Sequence, residues 1–247
     1  SDITHIKTMY QVGLAMSEFV LNNTQIKKLI KRSNMRYDLI LADHILIDSL
    51  FMFSLKYDCP LVTLGIDGHA SYMDEAMGIT PSFTIVPHSM SKYDYTMTFK
   101  QRCYNALLYM YEAAIRKFSY LPAQNKLAKK YFKDAFDGQP PELSKIQISA
   151  IIVNAHRDFN NKPKVSAQVD IPGIQIKSLK PLNENLQRIY DDSKEVIYFS
   201  FGSYKMSEMP KEKFNAILEA LGTLDKRVFM KYDEQFKPEN TPNNVYM

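Results

Sequence analysis

The segment YDLILADHILIDSLFMFSLKYDCPLVTLGI, residues 37–66, contains two apolar runs on either side of a helical pattern. Its first residues, 37–43, form a continuous apolar run that ends in the acid Asp43, and residues 60–66 form a second such run. Apolar runs of this kind are typical of parallel strands that are buried on both faces. The residues between them, 45–57, predict a helix. The stretch therefore predicts a strand–helix–strand unit with a right-handed crossover.

Further helices and one more strand are predicted around this unit. Three segments carry apolar residues mainly at three- and four-residue steps, which indicates helices. They are 4–33, in which Asn23 is placed to cap a second helix, 99–118 and 122–132. Residues 72–88 are expected to form a loop because Gly and Pro interrupt them, and 148–154 indicate another buried strand.

A second α/β unit is predicted towards the C-terminal end. An apolar strand at 196–201 leads into the turn Gly202–Ser203. A helix that starts at Pro210 then precedes a strand at 227–231. The pattern favours two doubly wound domains that face each other, joined by a polar, Pro-containing linker. The predicted limits are 1–170 for the first domain, 171–190 for the linker and 191–247 for the second domain.

The composition excludes several classes of protein. The 247 residues are 45% hydrophobic and 23% charged, which is typical of a globular protein and excludes a disordered or collagen-like chain. With 31 basic and 27 acidic residues the net charge is +4, so we expect no nucleic-acid partner. The two cysteines, Cys59 and Cys103, form neither a disulfide framework nor a metal-binding pattern.

The two ends of the sequence suggest that it is an internal piece of a longer protein. The chain starts at Ser1 without a leader and stops at Met247 within a predicted strand. No apolar run reaches the roughly 18 residues that a membrane helix needs. Asn22 opens an N-glycosylation sequon at a predicted helix junction, and whether it is used stays open.

Asp43 is the first candidate for a functional residue. It ends a strand, and open α/β sheets bind their ligands at the carboxyl ends of their strands. A carboxylate at this position could orient a histidine that acts as a general base. The alternative is an acid that caps the next helix. The neighbouring His44 is expected to point away from the crevice.

The turn Gly202–Ser203 is the candidate phosphate site. Glycine lets the backbone approach a ligand, and the hydroxyl and amide groups can bind phosphate oxygens. Lys231, at the end of the following strand, could meet the same ligand. The alternative is an ordinary turn. The sequence contains neither a GxGxxG fingerprint nor a P-loop.

His69 and Tyr72 are candidates for the wall of a substrate pocket. His69 follows the strand at 60–66, near the same crevice as Asp43, although it could equally be an ordinary loop histidine. Tyr72 is the first of the aromatic and methionine residues in 72–110, some of which could line an apolar pocket.

The segment EVIYFSFGS, residues 195–203, closely resembles the strand and turn that open the donor domain of animal UDP-glycosyltransferases, and it is most similar to the insect enzymes. Other segments resemble the same family in the same order along nearly the whole chain. They are YDLILAD at 37–43, the helices within 99–131, the linker segments GIQIK at 173–177 and KPL at 180–182, the helix at 209–220 and RVFMK at 227–231.

This resemblance implies a GT-B fold and an inverting transfer of a hexose, with glucose favoured, from a UDP-sugar to a hydroxyl of a small lipophilic acceptor. By motif, Asp43 corresponds to the aspartate that holds the family's base histidine. The residues Gly202, Ser203 and Lys231 correspond to positions around the diphosphate. The resemblance assigns no acceptor-binding residue here, so His69 and Tyr72 stay candidates for the acceptor pocket from their positions in the sequence alone. It implies neither a metal nor a resident cofactor, because the UDP-sugar is a co-substrate.

The family's base histidine and its Trp-x-Pro-Gln signature have no counterpart among these residues. We therefore expect the chain by itself to be inactive. The resemblance also implies a detoxification enzyme on the lumenal face of the endoplasmic reticulum membrane, with a membrane anchor beyond residue 247, and secretion is the alternative. The alternative function is a non-catalytic two-domain protein that binds lipophilic ligands.

Overall fold

The computed structural model describes residues 2–66, 70–156, 164–203, 208–232, 238 and 240–247. The chain divides into two units, Ser1–Ile176 and Lys177–Met247. The division falls inside the segment 171–190 that the sequence predicts as a linker. Each unit contains a parallel sheet with helices between its strands, which confirms the predicted α/β class with two Rossmann-like units.

In the described part of the first unit, four parallel strands pair in the order β1-β2-β3-β4. The strands are β1 (Ile40–Asp43), β2 (Leu61–Gly65), β3 (Ile148–Val153) and β4 (Gln168–Asp170). β1 is shorter than the predicted run 37–43 because its pairing starts where the Ile40 amide donates to the Pro60 carbonyl, at 2.9 Å. β4 was not predicted, since three residues carry too little pattern to identify a strand.

The first unit contains six α-helices within its described residues. They are α1 (Asp2–Asn22), α2 (Thr24–Lys31), α3 (Met52–Tyr57), α4 (Ser71–Ala76), α5 (Phe99–Ile115) and α6 (Leu121–Phe132). α1 contacts α2, α5 and α6. Asn23 caps α2, as predicted, because its side-chain oxygen accepts a hydrogen bond from the Gln25 amide at 2.8 Å.

The predicted helix at 45–57 is wrong in its first part. Residues 44–47 form a loop, and helical structure begins with a 3₁₀ turn at Asp48–Phe51 that leads into α3. The physical reason is the backbone of Leu46, whose φ of 61° lies outside the right-handed helical region. This loop follows Asp43 directly.

Two other predicted elements also differ from the structure. The predicted loop at 72–88 begins with α4, because Tyr72 and Met73 are buried in the core and fix a helical turn there. α5 and α6 are not separate helices, because a π-helical segment at Arg116–Tyr120 joins them. Pro122, near the start of α6, has no amide to donate, and the change in hydrogen-bonding pattern falls just before it.

Apolar side chains of the first unit form two buried clusters. The first comprises Ile6, Tyr10, Leu46, Tyr72, Met73, Leu108, Tyr120, Ile151 and Val153. The second comprises Leu21, Ile30, Met52, Phe53, Ala128 and Phe132. Because Leu46 and Tyr72 come from the segments after β1 and β2, the first cluster supports the carboxyl edge of the sheet.

In the described part of the second unit, three parallel strands pair in the order β5-β6-β7. The elements are α7 (Glu184–Asp191), β5 (Val196–Phe199), α8 (Lys211–Gly222), β6 (Arg227–Met230) and β7 (Val245–Tyr246). One apolar face of α8 packs on the sheet through Phe214, Leu218 and Leu221. α7 lies inside the predicted linker except for its last residue, Asp191, and it buries no residue, so it carries no strong apolar signal. Among the described residues of both units, none of the helices has the length and apolar character needed to span a bilayer.

Candidate functional site

Asp43 lies at the carboxyl end of β1, where the sequence places it. It pairs in register with Leu64 of β2, and the next amide, that of His44, donates to the Leu64 carbonyl at 2.8 Å. The Asp43 side chain is half-buried. The strand thus delivers a carboxylate to the edge of the sheet at which α/β proteins bind ligands.

His44 turns into the core and is 1% exposed. Its Nδ1 lies 2.9 Å from Thr63 Oγ1, and its ring packs edge-on against Phe51 at a centroid distance of 5.5 Å. The ring also lies 5.6 Å from that of Tyr72. A histidine enclosed in this way supports the loop after β1 and cannot reach an acceptor in solution.

A cavity of about 350 Å³ lies between α1, α4 and α5. Its wall includes the aromatic rings of Tyr10, Tyr72 and Tyr109 and the apolar side chains of Ile79 and Pro81. Pockets for small molecules typically combine such apolar walls with a few polar groups. The structure therefore places the predicted residue Tyr72 in the wall of a cavity of ligand size.

The negative charge of Asp43 affects the pKa of a tyrosine in the wall of this cavity. Burial, followed by the negative charges of Glu112 and Asp43, raises the pKa of Tyr72 to about 12. Asp43 is therefore close enough to the cavity wall for its charge to act on the Tyr72 hydroxyl. The third residue predicted for this region, His69, lies outside the described residues.

A buried carboxylate, Glu112, forms a polar part of the cavity wall. It accepts hydrogen bonds from the Tyr10 hydroxyl at 3.1 Å, from the Ser71 hydroxyl, and from His88 Nε2 at 3.0 Å. Burial alone would raise the pKa of Glu112, but the hydrogen bonds from His88 and Ser71 outweigh it and lower the pKa. Glu112 is thus an ionised group whose oxygens are occupied by the protein itself.

Glu112 and His88 were not predicted from the sequence. A signal was present, because Asn105, Leu108, Tyr109 and Glu112 are the buried residues of α5 and share one helical face. An acid on an otherwise buried face indicates a satisfied internal carboxylate. Its partners, however, come from distant parts of the chain.

The second unit carries the candidate phosphate site. The turn after β5 contains Gly202 with a φ of 65°, and the Gly202 amide donates to the Ser200 hydroxyl at 3.1 Å. Lys231 follows β6, which pairs with β5, and its Nζ donates to the Gly202 carbonyl at 2.7 Å. The structure therefore brings two of the three predicted donor-site residues into contact, with Ser203 adjacent to them and exposed.

This arrangement can bind an anion. An ammonium group has three donors, so the bond to Gly202 leaves Lys231 able to donate to a phosphate oxygen. The Ser203 hydroxyl and the turn amides supply further donors of the kind that phosphates use. Among the described residues, no group of three or more His, Cys, Asp or Glu side chains is placed to hold a metal ion.

Comparison with known proteins gives relatives of one kind. UDP-glycosyltransferase UGT5 of Dactylopius coccus is 29% identical over 219 residues, which are 85% of this chain and 40% of that protein. UDP-glucuronosyltransferase 1A8 of Rattus norvegicus is 26% identical over 247 residues, which are 98% of this chain and 44% of that protein. The chain thus spans less than half of the length of these relatives.

The chain also aligns with a solved structure and matches a family model. The structure of CalG4, the calicheamicin glycosyltransferase, aligns with 97% of this chain and 52% of its own, with 14% identity and a TM-score of 0.46. The model of the family described as "UDP-glucoronosyl and UDP-glucosyl transferase" matches residues 2–247. Because that match covers nearly the whole chain and confirms the resemblance seen in the sequence, the chain belongs to the UDP-glucuronosyl and UDP-glucosyl transferase family.

Proposed function

We propose that the protein containing this chain transfers glucose from UDP-glucose to a hydroxyl of a small lipophilic acceptor, with inversion at the anomeric carbon. The observation that carries the proposal is the position of Asp43 at the carboxyl edge of the first sheet, in the unit that also holds the aromatic cavity lined by Tyr72. Family membership and the anion-binding turn of the second unit support it.

In the proposed reaction, Asp43 is a positioning residue for a base histidine supplied by the rest of the protein. The imidazole takes the proton of the acceptor hydroxyl, and the Asp43 carboxylate stabilises the imidazolium that forms. The acceptor oxygen attacks the anomeric carbon while the bond from that carbon to UDP breaks, and its electron pair leaves with the diphosphate. No covalent enzyme intermediate is needed.

The second unit stabilises the leaving group in this proposal. Negative charge develops on the diphosphate as UDP departs, and donors that are already in position stabilise such charge most effectively. Lys231 is held against the Gly202 carbonyl before any ligand binds, so its charge is placed in advance. Ser203 would add a neutral hydrogen bond next to it.

The cavity supports a small aromatic or polycyclic acceptor. Its volume of about 350 Å³ lies near the lower end of the range for small-molecule pockets. The rings of Tyr10, Tyr72 and Tyr109 offer flat apolar surfaces to an acceptor, and the occupied oxygens of Glu112 offer no competing base. A phenol is therefore the first acceptor to test.

Family membership also supports a proposal about the setting of the protein. We propose an anchor outside these residues that holds it to the endoplasmic reticulum membrane with the site on the lumenal face, and a role in detoxification. The chain alone is proposed to be inactive, because a complete reaction needs the base histidine and the rest of the donor site.

The test is a transfer assay on the full-length protein. UDP release is measured with UDP-glucose or UDP-glucuronate as donor and a series of phenols as acceptors, and the glycoside is identified by mass spectrometry. The proposal predicts acceptor-dependent UDP release that is faster with UDP-glucose. Tight phenol binding without release of UDP would instead establish a non-catalytic binding protein, and faster reaction with UDP-glucuronate would overturn the choice of sugar.

A further inference from the structure

The loop that follows Asp43 is held in an unfavourable backbone conformation. Leu46 has a φ of 61°, in the left-handed region that residues other than glycine rarely adopt. Such conformations persist only where the surroundings over-determine them, and they cluster at functional sites. The contacts that hold Leu46 therefore fix the loop that begins directly after Asp43.

Tyr120 and Gln124 hold this loop by hydrogen bonds. The Tyr120 hydroxyl lies within hydrogen-bond distance of the Leu46 carbonyl and 2.8 Å from Asp48 Oδ2. Gln124 Nε2 donates to the Tyr120 oxygen at 2.9 Å, and its Oε1 accepts from the Ser49 amide at 3.1 Å. Tyr120 thus contacts the loop on both sides of residue 47.

Arg116 fixes the far end of the same loop. Its Nη2 donates to Asp48 Oδ1 at 2.8 Å, and both side chains are almost fully buried. Arg116 and Tyr120 are the two buried residues of the π-helical segment between α5 and α6. Such segments occur often at functional sites. Here the wide turn directs both side chains towards the loop after β1.

Helix α1 closes the loop from the other side. A Cβ placed on Gly13 would lie 2.6 Å from Leu46 Cβ and 2.8 Å from the Leu46 carbonyl oxygen. Only glycine permits this close approach of the helix backbone. Leu46 therefore packs against Gly13 on one side and is bound by the Tyr120 hydroxyl on the other.

We propose that Tyr120 is a positioning residue for sugar transfer, which fixes the loop 44–48 and through it the Asp43 carboxylate. The inference rests on the proposed function, because it assigns to Tyr120 an effect on the group that orients the base. It adds a role for the π-helical segment that contains Tyr120.

The first variant is Tyr120→Phe in the full-length protein, which removes the hydroxyl and keeps the ring. We expect kcat with UDP-glucose and a phenol to fall about tenfold, the factor that corresponds to the loss of roughly one hydrogen bond. The KM for UDP-glucose should stay unchanged. Tyr57→Phe is the matched control, since it removes a hydroxyl that donates to the Leu29 carbonyl at 2.9 Å, and it should leave kcat unchanged.

A double-mutant cycle with Asp43→Asn separates positioning from general destabilisation. If Tyr120 acts through Asp43, Tyr120→Phe should have little effect on kcat in the Asp43→Asn background. The same tenfold loss in both backgrounds would overturn the inference. An Asp43→Asn single variant with full activity would overturn the proposed function itself. The single variant thus separates this failure from a failure of the inference about Tyr120.

Gly13→Ala provides a second route to the same loop, in case Tyr120→Phe does not fold. Alanine is a better helix former than glycine, so a loss of activity in a variant that stays folded by circular dichroism is assigned to the contact with Leu46. Hydrogen exchange of residues 44–50 completes the test and does not depend on transfer. Faster exchange in Tyr120→Phe than in Tyr57→Phe supports the inference, and equal exchange overturns it.

Discussion

The ion pair between Arg116 and Asp48 gives a prediction about stability that the structure defines closely. Arg116→Met removes the guanidinium and keeps much of the side-chain volume. The side chains of Arg116 and Asp48 are 6% and 10% exposed, so the variant leaves a carboxylate buried without its cation. Breaking a buried pair in this way costs about 3–5 kcal/mol. We expect this loss in the free energy of unfolding of the first unit at pH 7.

The loss of stability in Arg116→Met should depend on pH. Burial would raise the pKa of Asp48, but the charge and hydrogen bond of Arg116, the hydrogen bond of Tyr120 and the charge of His44 together lower it. A folded-state pKa below the unfolded value of about 3.9 stabilises the protein above that pH, and this contribution disappears as the pH falls through the folded-state pKa. Without Arg116, burial raises the pKa of Asp48. The variant therefore loses stability at pH values where Asp48 is ionised. The difference between wild type and variant should therefore shrink from pH 7 to pH 4.

The assay is urea unfolding followed by far-ultraviolet circular dichroism at both pH values. The control is Lys130→Met, which breaks a surface pair with Glu18 at 3.0 Å and should barely move the urea midpoint. Arg116→Met could instead lose the same free energy of unfolding at pH 7 and pH 4, or no more than the control loses. Either result would show that the buried pair with Asp48 does not stabilise the first unit.

Three further predictions concern the donor turn. Gly202→Ala should destabilise the second unit by about 1–2 kcal/mol in urea unfolding, because a φ of 65° is unfavourable for alanine although a Cβ meets no neighbour there. Gly202→Asn should cost less, and an equal loss in both variants would contradict this cause. Lys231→Met should raise the Kd of UDP in the full-length protein about tenfold by calorimetry, and an unchanged Kd would remove Lys231 from the site. Ser203→Ala should weaken UDP-sugar binding by about 1–2 kcal/mol in the same titration, and no change would remove Ser203 as well.

Much of the sheet could be predicted from the sequence. The apolar runs at 37–43, 60–66 and 148–154 lie where strands β1, β2 and β3 form. Such runs predict burial on both faces, and β2 is buried or half-buried at every position. The same prediction is wrong for β1, because Leu41 is 55% exposed. The contact between Gly202 and Lys231 also follows from the pattern. Both residues come after neighbouring parallel strands, whose carboxyl ends meet at the same edge of a sheet.

The polar interior could not be predicted in this way. Arg116 lies 68 residues from Asp48 in the chain, and no local pattern records which distant acid a buried arginine will meet. The conformation of Leu46 was missed for a similar reason. Contacts with Tyr120 and α1 hold Leu46 at a φ of 61°, a value that leucine disfavours. These tertiary contacts override the helical pattern of residues 45–57.

The most direct test of the account is the Asp43→Asn variant of the full-length protein, compared with wild type for kcat and for UDP binding. We expect a fall in kcat of about 10²–10⁴-fold, the usual contribution of general acid–base catalysis, with the Kd of UDP unchanged. This split follows because the carboxylate acts on the base and belongs to the first unit, whereas the donor turn belongs to the second. An unchanged kcat, or a loss of UDP binding that matches the loss of turnover, would contradict the role of Asp43.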